Sequence, residues 1–138
     1  MEKPLFSNVI SIKSSKEKIS LFLKNPETLL KWIPDIIQVQ PIGNNNFSIY
    51  RTDSALNKNE EISVSSENDT IYYESTGGKL EYTLIFNLTS KNATTLLEEN
   101  FYLSENEHSH LPLKLLMPIA KHAFNSNLQS FKRIIENN

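Results

Sequence analysis

Between Ile36 and Leu103 the apolar residues recur at every second position, and from Leu113 onward they recur at helical spacing. That switch commits the middle of the chain to strands with one wet face and its end to one amphipathic helix. Phe6 to Ile12 predicts a first strand with Ile10 and Ile12 on one face. Ser14 or Ser15 then caps a short helix from Lys16 to Leu23 that buries Ile19, Phe22 and Leu23. Asn25-Pro26-Glu27 starts a second short helix, which carries Leu29, Leu30 and Trp32 and stops at Pro34. Strands follow at Ile36 to Gln40 (ended by Pro41), Phe47 to Arg51, Glu60 to Ser65, Thr70 to Thr76, Leu80 to Leu88 and Thr94 to Leu103. Gly77-Gly78, between the fourth and fifth of these, is the strongest hairpin signal in the chain. Ser104 to His110 is polar and reads as a loop. Leu113, Leu116, Met117, Ala120, Phe124, Leu128, Phe131 and Ile135 then form one stripe of a helix running to about Glu136.

The apolar face of such a sheet needs a cover, and the terminal helix is the only element large enough to supply it. The expected fold is therefore α+β: a curved antiparallel sheet of about seven strands, two short helices after strand 1, and the long C-terminal helix across the concave face. At 138 residues, without internal repeat or low-complexity tract, the expected organisation is one domain over residues 1–138.

Composition narrows the function. There is no cysteine, which excludes disulfides, thiolate nucleophiles, iron–sulfur clusters and cysteine-bound zinc. A net charge of -2 with no Lys/Arg cluster gives no electrostatic footprint for nucleic acid. No apolar run approaches the roughly 20 residues of a membrane span. Met1 to Pro4 leads at once into the first strand with no secretory pattern, so the expected location is cytoplasmic and the Asn68, Asn87 and Asn92 glycosylation matches carry no weight. The Asn-rich, Lys-over-Arg usage suggests a bacterial genome rich in A and T. No Gly-x-Ser-x-Gly elbow and no phosphate-binding glycine loop occurs.

Certain residues add to the element order. The run Ser15-Lys-Glu-Lys-Ile-Ser-Leu-Phe-Leu23, the Asn25-Pro26 step, Leu30-Lys-Trp-Ile-Pro-Asp35 and Leu113-x-x-Leu-Met-Pro118 resemble the SRPBCC superfamily across nearly the whole chain. Its members include START-like and birch-pollen-allergen-like helix-grip domains, polyketide cyclases and coenzyme-Q-binding relatives. The resemblance implies a hollow between sheet and helix that takes lipids, quinones, isoprenoids or aromatic metabolites. Physical reasoning agrees, because a curved sheet cannot meet a straight helix closely along its whole length. Candidate lining residues are Trp32, Tyr73, Tyr82, Phe86, Phe101, Met117 and Phe124, together with Ile49, Val64, Leu84, Ala120 and Asn127. The alternative is that these side chains simply fill the core.

Few residues suggest chemistry. Period two from Phe47 and Ile49 places Arg51 on their face. If Leu97, Phe101 and Leu103 face inward, Glu99 is inside too, and an Arg51–Glu99 pair would fix a polar head group or act as an acid/base site. The adjacent Leu96 and Leu97 leave that facing open, and the sequence favours the offset that turns Leu96 in and exposes Glu99. Asn127 either donates to a ligand carbonyl or ties a neighbouring loop. One of Tyr72 and Tyr73 should be inside with Tyr82. His108 and His110, beside Glu105 and Glu107, read as a solvated loop rather than a metal site, and Pro118 should bend the last helix near a pocket mouth. No cofactor is expected.

The leading expectation is a noncatalytic binder of a small hydrophobic molecule, as monomer or homodimer. The alternatives are a cyclase/hydratase-type enzyme using Glu99, Arg51 or a tyrosine, and a filled-core protein-interaction module like the heat-shock-protein activators of related fold. Function does not follow from this fold alone.

Overall fold

The structure, a computed structural model, describes residues 3–104 and 112–138. His108 and His110, and the acidic residues beside them, lie outside those residues. Strand β1 (Phe6–Ile12) is followed by helix α1 (Lys16–Lys24), a 3-10 turn at Pro26–Thr28 and the single-turn helix α2 (Leu29–Trp32). Six strands come next: β2 (Ile36–Gly43), β3 (Asn46–Arg51), β4 (Asn59–Glu67), β5 (Thr70–Thr76), β6 (Tyr82–Lys91) and β7 (Thr94–Leu103). Helix α3 (Leu113–Glu136) ends the chain.

Local chemistry explains the joints. Ser15 caps α1, its hydroxyl accepting from the Lys18 amide at 3.2 Å. Asn25 caps the 3-10 turn in the same way through Glu27, with Pro26 following. Three two-residue hairpin connections place Asn45, Asn68 and Asn92 at positive φ, a conformation asparagine tolerates better than most residues. Strand β2 runs on past Pro41, where the sequence predicts its end. It is an edge strand with register shifts beside Ile36 and Pro41, and an edge tolerates a residue that cannot donate to the ladder. Strand β6 begins at Tyr82 rather than Leu80, so residues 77–81 form the connection from β5.

All neighbouring strands pair antiparallel in the order β1-β7-β6-β5-β4-β3-β2. The first strand thus closes onto the last, and the curved sheet wraps α3. Burial along α3 is graded. Leu128, Phe131 and Ile135 are fully enclosed, whereas Leu113, Met117, Ala120 and Phe124 are only partly covered. The enclosed end is held by Trp32, whose ring meets Phe131 at 4.9 Å, and by the Lys18 ammonium donating to the Ile135 carbonyl at 3.0 Å. The looser end, which contains Pro118, is the part that spans the sheet's hollow. No helix among the described residues is long and apolar enough to cross a membrane.

Candidate ligand cavity

Two adjoining spaces lie between the sheet and the looser half of α3. The outer one has a volume of about 370 Å³ and is walled by Phe101, Met117, Ala120 and Phe124, with Leu56 and Leu80 at the loop side. Its floor is an aromatic stack: Phe101 lies parallel to Tyr82 at 5.1 Å and to Phe6 at 4.7 Å, and Phe124 meets Phe101 edge-on at 5.5 Å. The inner chamber is smaller, about 100 Å³, and is lined by Trp32, Tyr73, Leu84, Glu99 and Asn127 among others. Asp35, Arg51, Tyr82, Ala123 and Phe124 border both spaces and form the neck between them.

The neck is built by strand periodicity. Ile49 is fully buried on β3, so Arg51, two residues on, also faces the hollow. Its guanidinium reaches Asp35 at 2.9 Å through Nη1 and Glu60 at 2.7 and 3.0 Å through Nη2 and Nε. Glu60 is buried, and its other oxygen accepts from Asn57 at 2.8 Å and Ser75 at 2.6 Å, with the Tyr82 hydroxyl 3.3 Å from the first. Burial by itself would lower the guanidinium's pKa, but the carboxylates of Glu60 and Asp35 beside it hold it above its usual range. Tyr82 is pushed up by burial and by Glu60, so it stays a neutral phenol.

Arg51 therefore pairs with Glu60 and Asp35, not with Glu99. The expected exposure of Glu99 is also overturned: Leu97 is fully buried, Leu96 is 39% exposed and Glu99 is 2% exposed. The pairing of β7 with β1 decides this, because Ile10 aligns with Leu97 and Asn8 with Glu99, both on the concave face. Burial raises the Glu99 carboxyl to about 8, opposed by the nearby Asn8 amide. Its Oε1 has no hydrogen-bond partner among the described residues, and neither has the indole Nε1 of Trp32.

Of the two candidate tyrosines, Tyr73 is inside and donates to the Leu23 carbonyl. Its pKa is raised by burial and by Glu99. Ile49, Val64 and Phe86 are buried in the core and border neither space. Asn127 lines the inner chamber. Glu60, Asp35, Asn57 and Ser75 escaped prediction as site residues, although Ile62 and Val64 share the face of Glu60 at period two.

The cavity sits in an architecture found in other solved structures. A START superfamily protein from Mycobacterium smegmatis superposes with a TM-score of 0.76 at 14% identity, covering 96% of this chain and 97% of that one. The di-domain ARO/CYC StfQ of the steffimycin biosynthetic pathway gives 0.72 at 14% identity, covering 96% of this chain and 50% of that one. The Aha1 dimer of Colwellia psychrerythraea gives 0.67 at 21% identity, covering 95% of each chain. The fold is a START-like helix-grip fold, as the resemblance implied. No family model and no curated protein matches the sequence.

Proposed function

We propose that the protein binds a small hydrophobic molecule between its sheet and α3, in the manner of a carrier or sensor. The observation that carries this reading is the outer cavity of about 370 Å³, walled by apolar and aromatic side chains at the part of α3 that packs least tightly. A filled-core interaction module would leave no such space beside its aromatic floor. The likeness to a START superfamily protein and to an aromatase/cyclase supports the same ligand class by analogy of fold.

Native mass spectrometry of freshly purified protein, followed by organic extraction, tests the reading. The expected result is an apolar molecule at near-stoichiometric amount, or a thermal shift with members of a lipid, quinone and polyketide panel. A bare mass with no shift across that panel overturns it.

A second reading, a cyclase/hydratase-type enzyme acting on such a ligand, draws on Glu99 alone. A buried carboxyl with a pKa of about 8 is protonated at neutral pH and can donate a proton inside the chamber. Arg51 is committed to Asp35 and Glu60 and leaves that role to Glu99. Conversion of the extracted ligand by the native protein but not by Glu99→Gln would favour the enzyme.

A further inference from the structure

We propose that the inner chamber is a polar subsite that receives a neutral oxygen acceptor, of ketone, quinone or ester type, at the leading end of the bound hydrophobic molecule, held by Glu99 and the Trp32 indole N–H. The proposal rests on the ligand-binding reading above and specifies which chemistry enters first.

Two buried polar side chains line this one small space, and each carries an atom without a partner among the described residues. Glu99 is 2% exposed and Trp32 is 4% exposed. Buried polar groups are nearly always satisfied, so two orphans in one chamber point to a partner supplied from outside the chain. An indole N–H can only donate, which requires an acceptor on the ligand. With its pKa near 8, Glu99 carries its proton at neutral pH and donates as well. Two residues with a donor to offer, lining one space, suit an acceptor oxygen. The chamber is large enough for a group of several atoms, since about 10–15 Å³ suffices for a single water.

The fixed charge around the neck selects against an anion. All three Arg51 nitrogens are engaged, by Glu60 and Asp35, so one cation stands between two carboxylates. An incoming carboxylate would meet no free positive partner there, and its burial would carry a heavy desolvation cost. A ligand that enters head-first is thus neutral at its head, which distinguishes a ketone, quinone or ester from a fatty-acid carboxylate.

Three probes of one shape separate the possibilities: 2-acetylnaphthalene, 2-ethylnaphthalene and 2-naphthoate, titrated by calorimetry at neutral pH. The ketone should bind about tenfold more tightly than the hydrocarbon, the size expected when buried donors gain an acceptor, and the carboxylate should bind most weakly. Trp32 is the sole tryptophan, so its single indole N–H resonance should shift with the ketone and much less with the hydrocarbon. In Glu99→Leu the ketone-to-hydrocarbon ratio should fall to about twofold, and Glu99→Gln, which keeps a donor, should restore most of it. Equal binding of ketone and hydrocarbon, a preference that survives Glu99→Leu, or tightest binding of 2-naphthoate overturns the subsite while leaving the cavity reading intact. Failure of all three probes to bind, together with a bare native mass and no shift across the lipid, quinone and polyketide panel, overturns both.

Discussion

Glu60 accepts from Arg51, Asn57, Ser75 and Tyr82 while its side chain is fully enclosed, so one carboxylate joins four side chains from β3, β5, β6 and the loop before β4. Replacing it with alanine leaves the Arg51 charge half-paired and the Ser75 and Tyr82 hydroxyls without this acceptor, while the Asn57 Nδ2 keeps only its bond to the Leu80 carbonyl. Glu60→Ala should lose about 3–5 kcal/mol in urea unfolding, the cost of breaking a buried pair by removing one partner. A loss below 1 kcal/mol would mean that water replaces the carboxylate freely. Glu60 was visible in outline, because Ile62 and Val64 set the phase of β4. Its partner was not, because Arg51 finds it through the pairing of β3 with β4, which aligns Ile49 with Glu60. Glu99 shows the same boundary. Leu96-Leu97 allow either facing, and only the alignment of β7 with β1 chooses between them.

At the scale of elements, the connection from β5 to β6 owes its shape to two glycines with different duties. Gly77 adopts φ +80°, which favours glycine, while a Cβ on Gly78 would come within 2.7–2.9 Å of the Asn57 carboxamide. Asn57 cannot swing aside without losing Glu60 and the Leu80 backbone, to which it bonds through both ends at 2.7 Å. Gly78→Ala should therefore destabilise by about 1–3 kcal/mol, and by clearly less in an Asn57→Ala background. Additive losses in that double-mutant cycle would disprove the coupling. Helix α3 makes a second prediction at this scale. Amides from Leu113 to Phe124 should exchange faster than those from Leu128 to Ile135, since only the latter half is enclosed. Uniform protection in hydrogen-exchange mass spectrometry would contradict the graded packing. The helix itself was legible from its apolar stripe. Its uneven burial was not, because one stripe serves equally for a filled core or the wall of a cavity.

For the molecule as a whole, the buried carboxyl of Glu99 ties stability to pH in a definite direction. Its folded pKa is about 8 against an ordinary 4.5, so between those values the unfolded chain has lost a proton that the folded protein keeps. The unfolded state then binds fewer protons, and stability falls as pH rises through this window. The favourable contribution is complete below about 4.5 and fully lost above about 8. Tyr73 and Tyr82, which line the same chamber, have their own pKa values raised by burial and stay neutral throughout. Arg51, at the neck of the same chamber, stays charged. Glu99→Gln removes the titration and keeps the shape, so its stability should diverge upward from the native protein as pH rises. The gap should reach the order of a few kcal/mol at pH 8 to 9. Urea unfolding of both proteins from pH 5 to 9 measures it directly. Parallel curves would mean that Glu99 ionises inside the fold at no cost, which requires a partner for its charge. A neutral acceptor bound in the chamber should steepen the native protein's dependence, because the complex holds the Glu99 proton more tightly than the free protein does.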